Sequence, residues 1–108
     1  MAKAGVYNNG ELAGYLEKRG PMDYHFEYEP AYWANQLRPS ISLTLPKTQR
    51  AYDSPMLFPF FSGLLAEGIN KEIQCRLLKI DENDDFTRLL KTAGEDTIGA
   101  ITVKEIIE

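Results

Sequence analysis

The sequence is poor in the residues that build covalent or metal-based chemistry. It has one cysteine, Cys75, and one histidine, His25, in 108 residues. A single cysteine excludes a disulfide within the chain and a cysteine-based zinc site built from one copy. It fits a reducing compartment. Long apolar runs are missing too, since no stretch reaches the ~18 apolar residues of a membrane span. The opening MAKAGVYNNG places no apolar run behind its lysine, so no secretory leader is expected. These features predict a cytoplasmic protein without membrane contact. Basic clustering is also absent. The 12 Lys and Arg are scattered among 16 Asp and Glu, giving a net charge of -4. Phosphate backbones are held by grouped cations, so direct nucleic-acid binding is not expected. No repeat, linker or low-complexity segment divides the chain, which reads as one domain, residues 1–108.

What is present is a core. Hydrophobic residues make up 44% of the chain, enough at this length to fold without covalent staples. The first half has strand character. Val6-Tyr7 and Leu12-Ala13 flank Asn8-Asn9-Gly10-Glu11, and an Asn-Gly pair in that setting signals a tight hairpin. The returning strand runs from Leu12 to Glu17, and Lys18-Arg19-Gly20-Pro21 predicts a loop. Residues 23–29 alternate, with Tyr24, Phe26 and Tyr28 on one face and His25, Glu27 and Glu29 on the other. Ala31 to Gln36 predicts a short helical turn carrying Trp33. Ser40-Ile41-Ser42-Leu43-Thr44-Leu45 alternates most clearly and predicts a strand with Ile41, Leu43 and Leu45 inward.

The second half has helix character. Ser54-Pro55 is a helix-start signal, and Pro59 should bend or tighten that first turn. Phe60, Phe61, Leu64 and Leu65 form one apolar face, with Gly68 as the stop. A second helix from about Asn70 carries the stripe Ile69, Ile73, Leu77 and Ile80. Asp84 or Asp85 caps a third, with Phe86, Leu89, Leu90 and Ala93 inward and Gly94 ending it. Residues 100–104 predict a last strand. The expected fold is α+β: a small antiparallel sheet with about three to four helices packed on it.

No catalytic constellation is legible. His25 has no local nucleophile or carboxylate placed to pair with it, and a solvated or structural role is favoured. Asp81 to Asp85 imitates a calcium loop, but Phe86 and Thr92 stand where that loop needs Gly and Glu. An acidic helix start explains the charges better. Glu27 and Glu29 share a strand face without a legible polar cleft, and solubilising charge is the simpler reading. Gly94 to Gly99 lacks the spacing and lysine of a phosphate loop. Metal ligands, cofactor-binding residues and catalytic residues are therefore expected to be absent. Tyr32 and Trp33 are either partner anchors or packing for the short helix, with packing favoured.

Several of these segments resemble, in order, the N-terminal domain of HipA-type serine/threonine kinases, the toxins of bacterial toxin–antitoxin modules. Val6 to Gly14 is similar to its opening hairpin, and Phe26-x-Tyr28-x-Pro30-x-x-Trp33 to its next strand and turn. Arg38-Pro39-Ser40-Ile41-Ser42-Leu43-Thr44-Leu45-Pro46 resembles its P-hydrophobic-S-L-S-L-P segment. Pro59 to Gly68 resembles its PFFxGLLPEG helix, with Ala66 where the family pattern has proline. Phe86 to Leu90 and Gly94 to Ala100 resemble its ending. No one motif is decisive; five in order, spanning nearly the whole chain, are strong.

The resemblance implies a fold and a role. The kinase's nucleotide and metal residues lie downstream of this domain in the family, so this chain by itself is expected not to be an enzyme. It is expected to bind and regulate a HipA- or HipT-like kinase, as HipS does in HipBST arrangements, most simply as antitoxin. The alternative is an activating N-terminal part of a split or truncated kinase. A HipB-like helix-turn-helix protein would contact operator DNA, leaving this chain an indirect partner. Candidate partner-binding residues are Trp33, Tyr32, Phe58, Glu67, Ile106 and Ile107. Ile106 and Ile107 follow the last strand with little sequence left to cover them.

Overall fold

In the computed structural model, residues 2–64, 68–79, 81, 84–92 and 101–106 are described. Among these residues five strands form one antiparallel sheet: β1 (Ala2–Asn8), β2 (Glu11–Gly20), β3 (Asp23–Tyr28), β4 (Ala51–Ser54) and β5 (Ile101–Glu105). Their spatial order is β4-β3-β2-β1-β5. Four helices accompany them among the described residues: α1 (Pro30–Ala34), α2 (Pro59–Ser62), α3 (Gly68–Leu78) and α4 (Asp85–Thr92). This is the α+β architecture that the sequence predicts.

The β1–β2 hairpin turns on Asn9 and Gly10, both at positive φ (52° and 83°), as a two-residue turn requires. Successive hairpins then set the register. Ala4 lies opposite Leu16, which lies opposite Phe26, which lies opposite Tyr52. Val6 similarly faces Gly14 and Val103, and Gly14 faces Tyr28. Opposed residues share a face, so these rows build one buried side. Gly14 is required there. A Cβ on it would come within 2.5 Å of the Glu27 carbonyl oxygen and 2.9 Å of the Phe26 ring.

Ala4, Val6, Leu16, Phe26, Tyr28 and Val103 pack with Tyr32 of α1, Phe61 of α2 and Phe86 and Leu89 of α4 in one core. Phe26 sits at its centre, with ring centroids 5.0 Å from Tyr28 and 5.7 Å from Phe61. Burying each such side chain contributes roughly 1.5–3 kcal/mol. Asp84 caps α4: its carboxylate accepts from the Thr87 amide at 3.1 Å and the Thr87 hydroxyl at 2.7 Å. Burial pushes the Asp84 carboxyl up, but the Thr87 bonds and nearby Lys18 outweigh this and hold it below its ordinary value.

Four expectations are corrected. Residues 18–20 are not a loop: β2 runs on to Gly20 with a bulge beyond Lys18, and Pro21-Met22 makes the turn. Residues 40–45 form turns and bends rather than a strand. Ile41 and Leu45 are buried, but Leu43 is 99% exposed. The sheet position beside β3 belongs to β4 at 51–54, an element that its short, weakly apolar sequence did not announce. Ser54-Pro55 does not open a helix: the Ser54 hydroxyl accepts from the Met56 amide in a local turn. Pro59 instead takes the first helical position of α2, which ends at Ser62 with Gly63 as its C-cap, before Gly68. On α3, two residues of the apolar stripe are solvent-facing: Ile73 is 46% and Leu77 75% exposed. The Ile69 side chain, Leu65, Ile80, Ala93 and Gly94 lie outside the described residues.

Candidate functional site

The expected partner-binding residues separate into three groups. Tyr32 and Phe58 are corrected to structural roles. Tyr32 is 2% exposed. Its hydroxyl donates to the Pro39 carbonyl at 2.7 Å and accepts from Asn8 Nδ2 at 3.0 Å, and its ring stacks on Tyr28. Phe58 is 7% exposed and lies edge-on to Phe61, because Pro59 turns the chain so that residue 58 caps α2 from the core side. Trp33 and Ile106 remain accessible. Trp33 is 38% exposed on α1, which begins with Pro30 and is capped by the Glu29 carboxylate accepting from the Tyr32 amide at 2.9 Å. Ile106 is half-buried, and its amide donates to the Lys3 carbonyl at 2.9 Å, extending the contact of β5 with β1. Glu67 and Ile107 lie outside the described residues.

Beside Trp33 is a long segment, residues 35–50, that has no strand or helix and is nonetheless tied down. Three tyrosine hydroxyls reach its backbone. Tyr28 donates to the Leu45 carbonyl and accepts from the Ile41 amide at 3.1 Å. Tyr32 holds the Pro39 carbonyl, and Tyr52 donates to the Pro46 carbonyl at 2.6 Å. Lys47 Nζ donates to the carbonyls of Asn35 at 2.7 Å and Arg38 at 2.8 Å. Arg38 Nε reaches both carboxylate oxygens of Glu11 at 2.9 Å, joining the segment to β2. Burial pushes the Tyr28 phenol above its ordinary value, with the Ile41 amide pulling the other way.

This anchoring places apolar side chains in solvent. Leu37 is 86% and Leu43 99% exposed on the pinned segment. Neither was expected as a binding residue, and Leu43 was expected inside. The usable signal was the pair of prolines, Pro39 and Pro46, bracketing the alternation. A hydroxyl turn sits between them: Ser42 Oγ accepts from the Thr44 amide at 3.1 Å, and the Leu45 amide donates to the Ser42 carbonyl at 3.2 Å. A second set lies on α3, where Ile73 and Leu77 are one turn apart and Leu78 is 48% exposed, while Cys75 is buried.

The titratable groups are arranged differently from the sequence expectation. His25 does have a carboxylate in reach, from the neighbouring strand: Nδ1 lies 2.7 Å from Asp53 Oδ1, its register partner on β4. Its Nε2 is 3.9 Å from Glu27. Both neighbours are acceptors, which orients an imidazole whose side chain is only 12% exposed. Among the described residues no group of three or more His, Cys, Asp or Glu is placed to hold a metal ion. A cavity of about 370 Å³ lies elsewhere, between Lys18, Tyr24, Met56 and Asp84. No helix among the described residues is long and apolar enough to cross a membrane.

Comparison with known proteins agrees with this geometry. A family model described as the HipA N-terminal domain matches residues 4–104. A solved structure titled "N-terminal domain of HipA toxin" superposes with a TM-score of 0.74 at 31% identity, covering 100% of this chain and 95% of that one. An uncharacterized protein of Haemophilus influenzae is 37% identical over 100 residues, which are 93% of this chain and 89% of that protein. A Sinorhizobium fredii protein named "Putative kinase Y4mE" is 28% identical over 96 residues, covering 89% of this chain but 23% of the relative.

Proposed function

Because this chain belongs to the HipA N-terminal domain family, we propose that it is a non-catalytic docking domain for a HipA- or HipT-like serine/threonine kinase. In this reading it restrains that kinase as an antitoxin does. A HipB-like helix-turn-helix protein completes the module and carries the DNA contact.

The observation that carries the reading is the apolar display on the anchored 33–45 segment. Trp33, Leu37 and Leu43 are exposed on a backbone held by Tyr28, Tyr32, Tyr52 and Lys47. Ordered backbone with solvated large side chains loses little entropy on binding, and large apolar side chains lose contact with water when a partner covers them. Two relatives support a partner of the kinase class. The domain makes up most of one small relative and under a quarter of a protein named as a kinase. One domain found nearly alone and within a larger chain suits docking in trans where the larger chain has it in cis. Docking restrains the kinase if the domain binds one of its conformations better than another.

The cis arrangement also supports the second reading, in which the domain completes a shortened kinase and activates it. Copurification with a HipA-like kinase encoded beside it, then phosphorylation with and without this chain, separates the readings. A stable complex with lost activity supports the antitoxin role. A complex with gained activity supports the split enzyme. Absence of a complex overturns both.

A further inference from the structure

The core rows occupy one face of the sheet, and the register lays out the other. One outer row is Lys3, Glu17, His25 and Asp53, on β1, β2, β3 and β4. The next is Lys104, Gly5, Tyr15, Glu27 and Ala51, on β5, β1, β2, β3 and β4. A third is Thr102, Tyr7 and Leu12, on β5, β1 and β2. None of these residues belongs to the buried core described above. Tyr7, Leu12 and Tyr15 are half-buried on β1 and β2, with Lys104 over the Tyr7 ring at 5.5 Å and Lys3 over the Tyr15 ring at 4.8 Å.

The face is polarised. Its lysines lie on β1 and β5, and its carboxylates, Glu17, Glu27 and Asp53, lie on β2, β3 and β4. A two-fold axis in the plane of contact, parallel to the strands and above the line between β1 and β2, exchanges those two strands. It also exchanges β5 with β3. Under that operation Lys3 faces the second copy's Glu17, Lys104 faces its Glu27, and Tyr7 faces its Leu12. Every opposition is made twice, as an isologous contact requires. This operation stacks the two sheets face to face with their strands aligned, within the range of about 30° and at the spacing of about 10 Å found in ordinary sandwiches. Glu17 and Glu27 already hold Arg19 at 3.2 Å and Arg50 at 3.6 Å. Those arginines are 40% and 45% exposed, so solvent weakens both pairs. Each carboxylate keeps lone pairs for a second cation.

We propose that this chain forms a two-fold symmetric dimer through the outer face of its sheet, with Lys3 and Lys104 of each copy against Glu17 and Glu27 of the other. The partner is a second copy because the charge division is complementary to itself under one rotation. The proposal does not depend on kinase docking, since Trp33, Leu37 and Leu43 lie outside these rows.

Sedimentation velocity of the full chain over a concentration series tests it. A dimer that weakens as salt rises is expected. Reversing one side, Lys3→Glu with Lys104→Glu, sets like charges against each other and should weaken association about tenfold or more. Glu17→Lys with Glu27→Lys should do the same, and mixing the two variants should restore a heterodimer. A monomer at high micromolar concentration, a dimer indifferent to both reversals, or a mixture that stays monomeric overturns the proposal. Should a reversal impair folding, carbodiimide coupling of mixed isotopically light and heavy wild-type protein answers instead. Light-to-heavy Lys104–Glu27 links are expected, because those residues are too far apart across one sheet to couple within a copy. Their absence overturns the proposal.

Discussion

The hydroxyl of Tyr28, on β3, donates to the carbonyl of Leu45, seventeen residues along the chain in a segment without regular structure. The same oxygen accepts from the Ile41 amide. One side chain therefore supplies what a neighbouring strand would supply: a donor and an acceptor for backbone that would otherwise be buried unpaired.

Removing that oxygen should release the segment. Tyr28→Phe leaves the ring in the core but strands the Ile41 N–H and the Leu45 carbonyl. A loss of about 1–3 kcal/mol is expected in urea unfolding. Amide exchange across residues 41–45 should rise more than exchange in β2.

Leu43 and Leu45 should behave oppositely. Leu43→Ser, at 99% exposure, should change stability by no more than about 0.5 kcal/mol. Leu45→Ala, at 2% exposure, should cost about 2–5 kcal/mol. Equal losses from the two would indicate the strand that the alternation suggested.

Trp33 and Phe58 should divide binding from folding. Phe58→Ala should cost about 3–5 kcal/mol by thermal or chemical unfolding. Trp33→Ala should cost less stability than Phe58→Ala, because Trp33 is 38% exposed, and should weaken kinase binding by about 2 kcal/mol, measured by calorimetry on the purified pair. Unchanged affinity would remove Trp33 from the docking surface.

Asp84 predicts an acid dependence. Its folded carboxyl titrates below the ordinary value near ~3.9, so its contribution is complete above that pH and fades as pH falls through the folded value. Asp84→Ala should cost about 0.5–2 kcal/mol near neutrality, the usual worth of such a cap. The gap between variant and wild type should close on acidification. A gap independent of pH would mean that the carboxylate is not the capping group.

Patterns carried by local chemistry were legible in the sequence. Asn9-Gly10 turned the first hairpin because few residues tolerate positive φ there. Residues 23–28 alternated and became β3, and Asp84 capped α4. The family resemblance was legible in the order of five short motifs and is matched over residues 4–104. Exposure was only partly legible: Trp33 is accessible, whereas Tyr32 and Phe58 are buried and the exposed Leu37 was passed over.

Alternation reports which side chains differ in burial. It does not report whether a strand partner is available. Residues 40–45 alternate as well as β3 does, but β4 takes the place beside β3, and a tyrosine, a serine turn and two prolines settle the segment as a loop. Sequence by itself determined the hairpin, the alternation of β3 and the family, and narrowed the cap to Asp84 or Asp85. The tertiary structure alone decided that Leu43 faces water while Leu45 does not, and that His25 meets Asp53. Those outcomes depend on pairing between segments distant in the chain, where a hydrogen-bond partner is chosen by position in space rather than by neighbours in sequence.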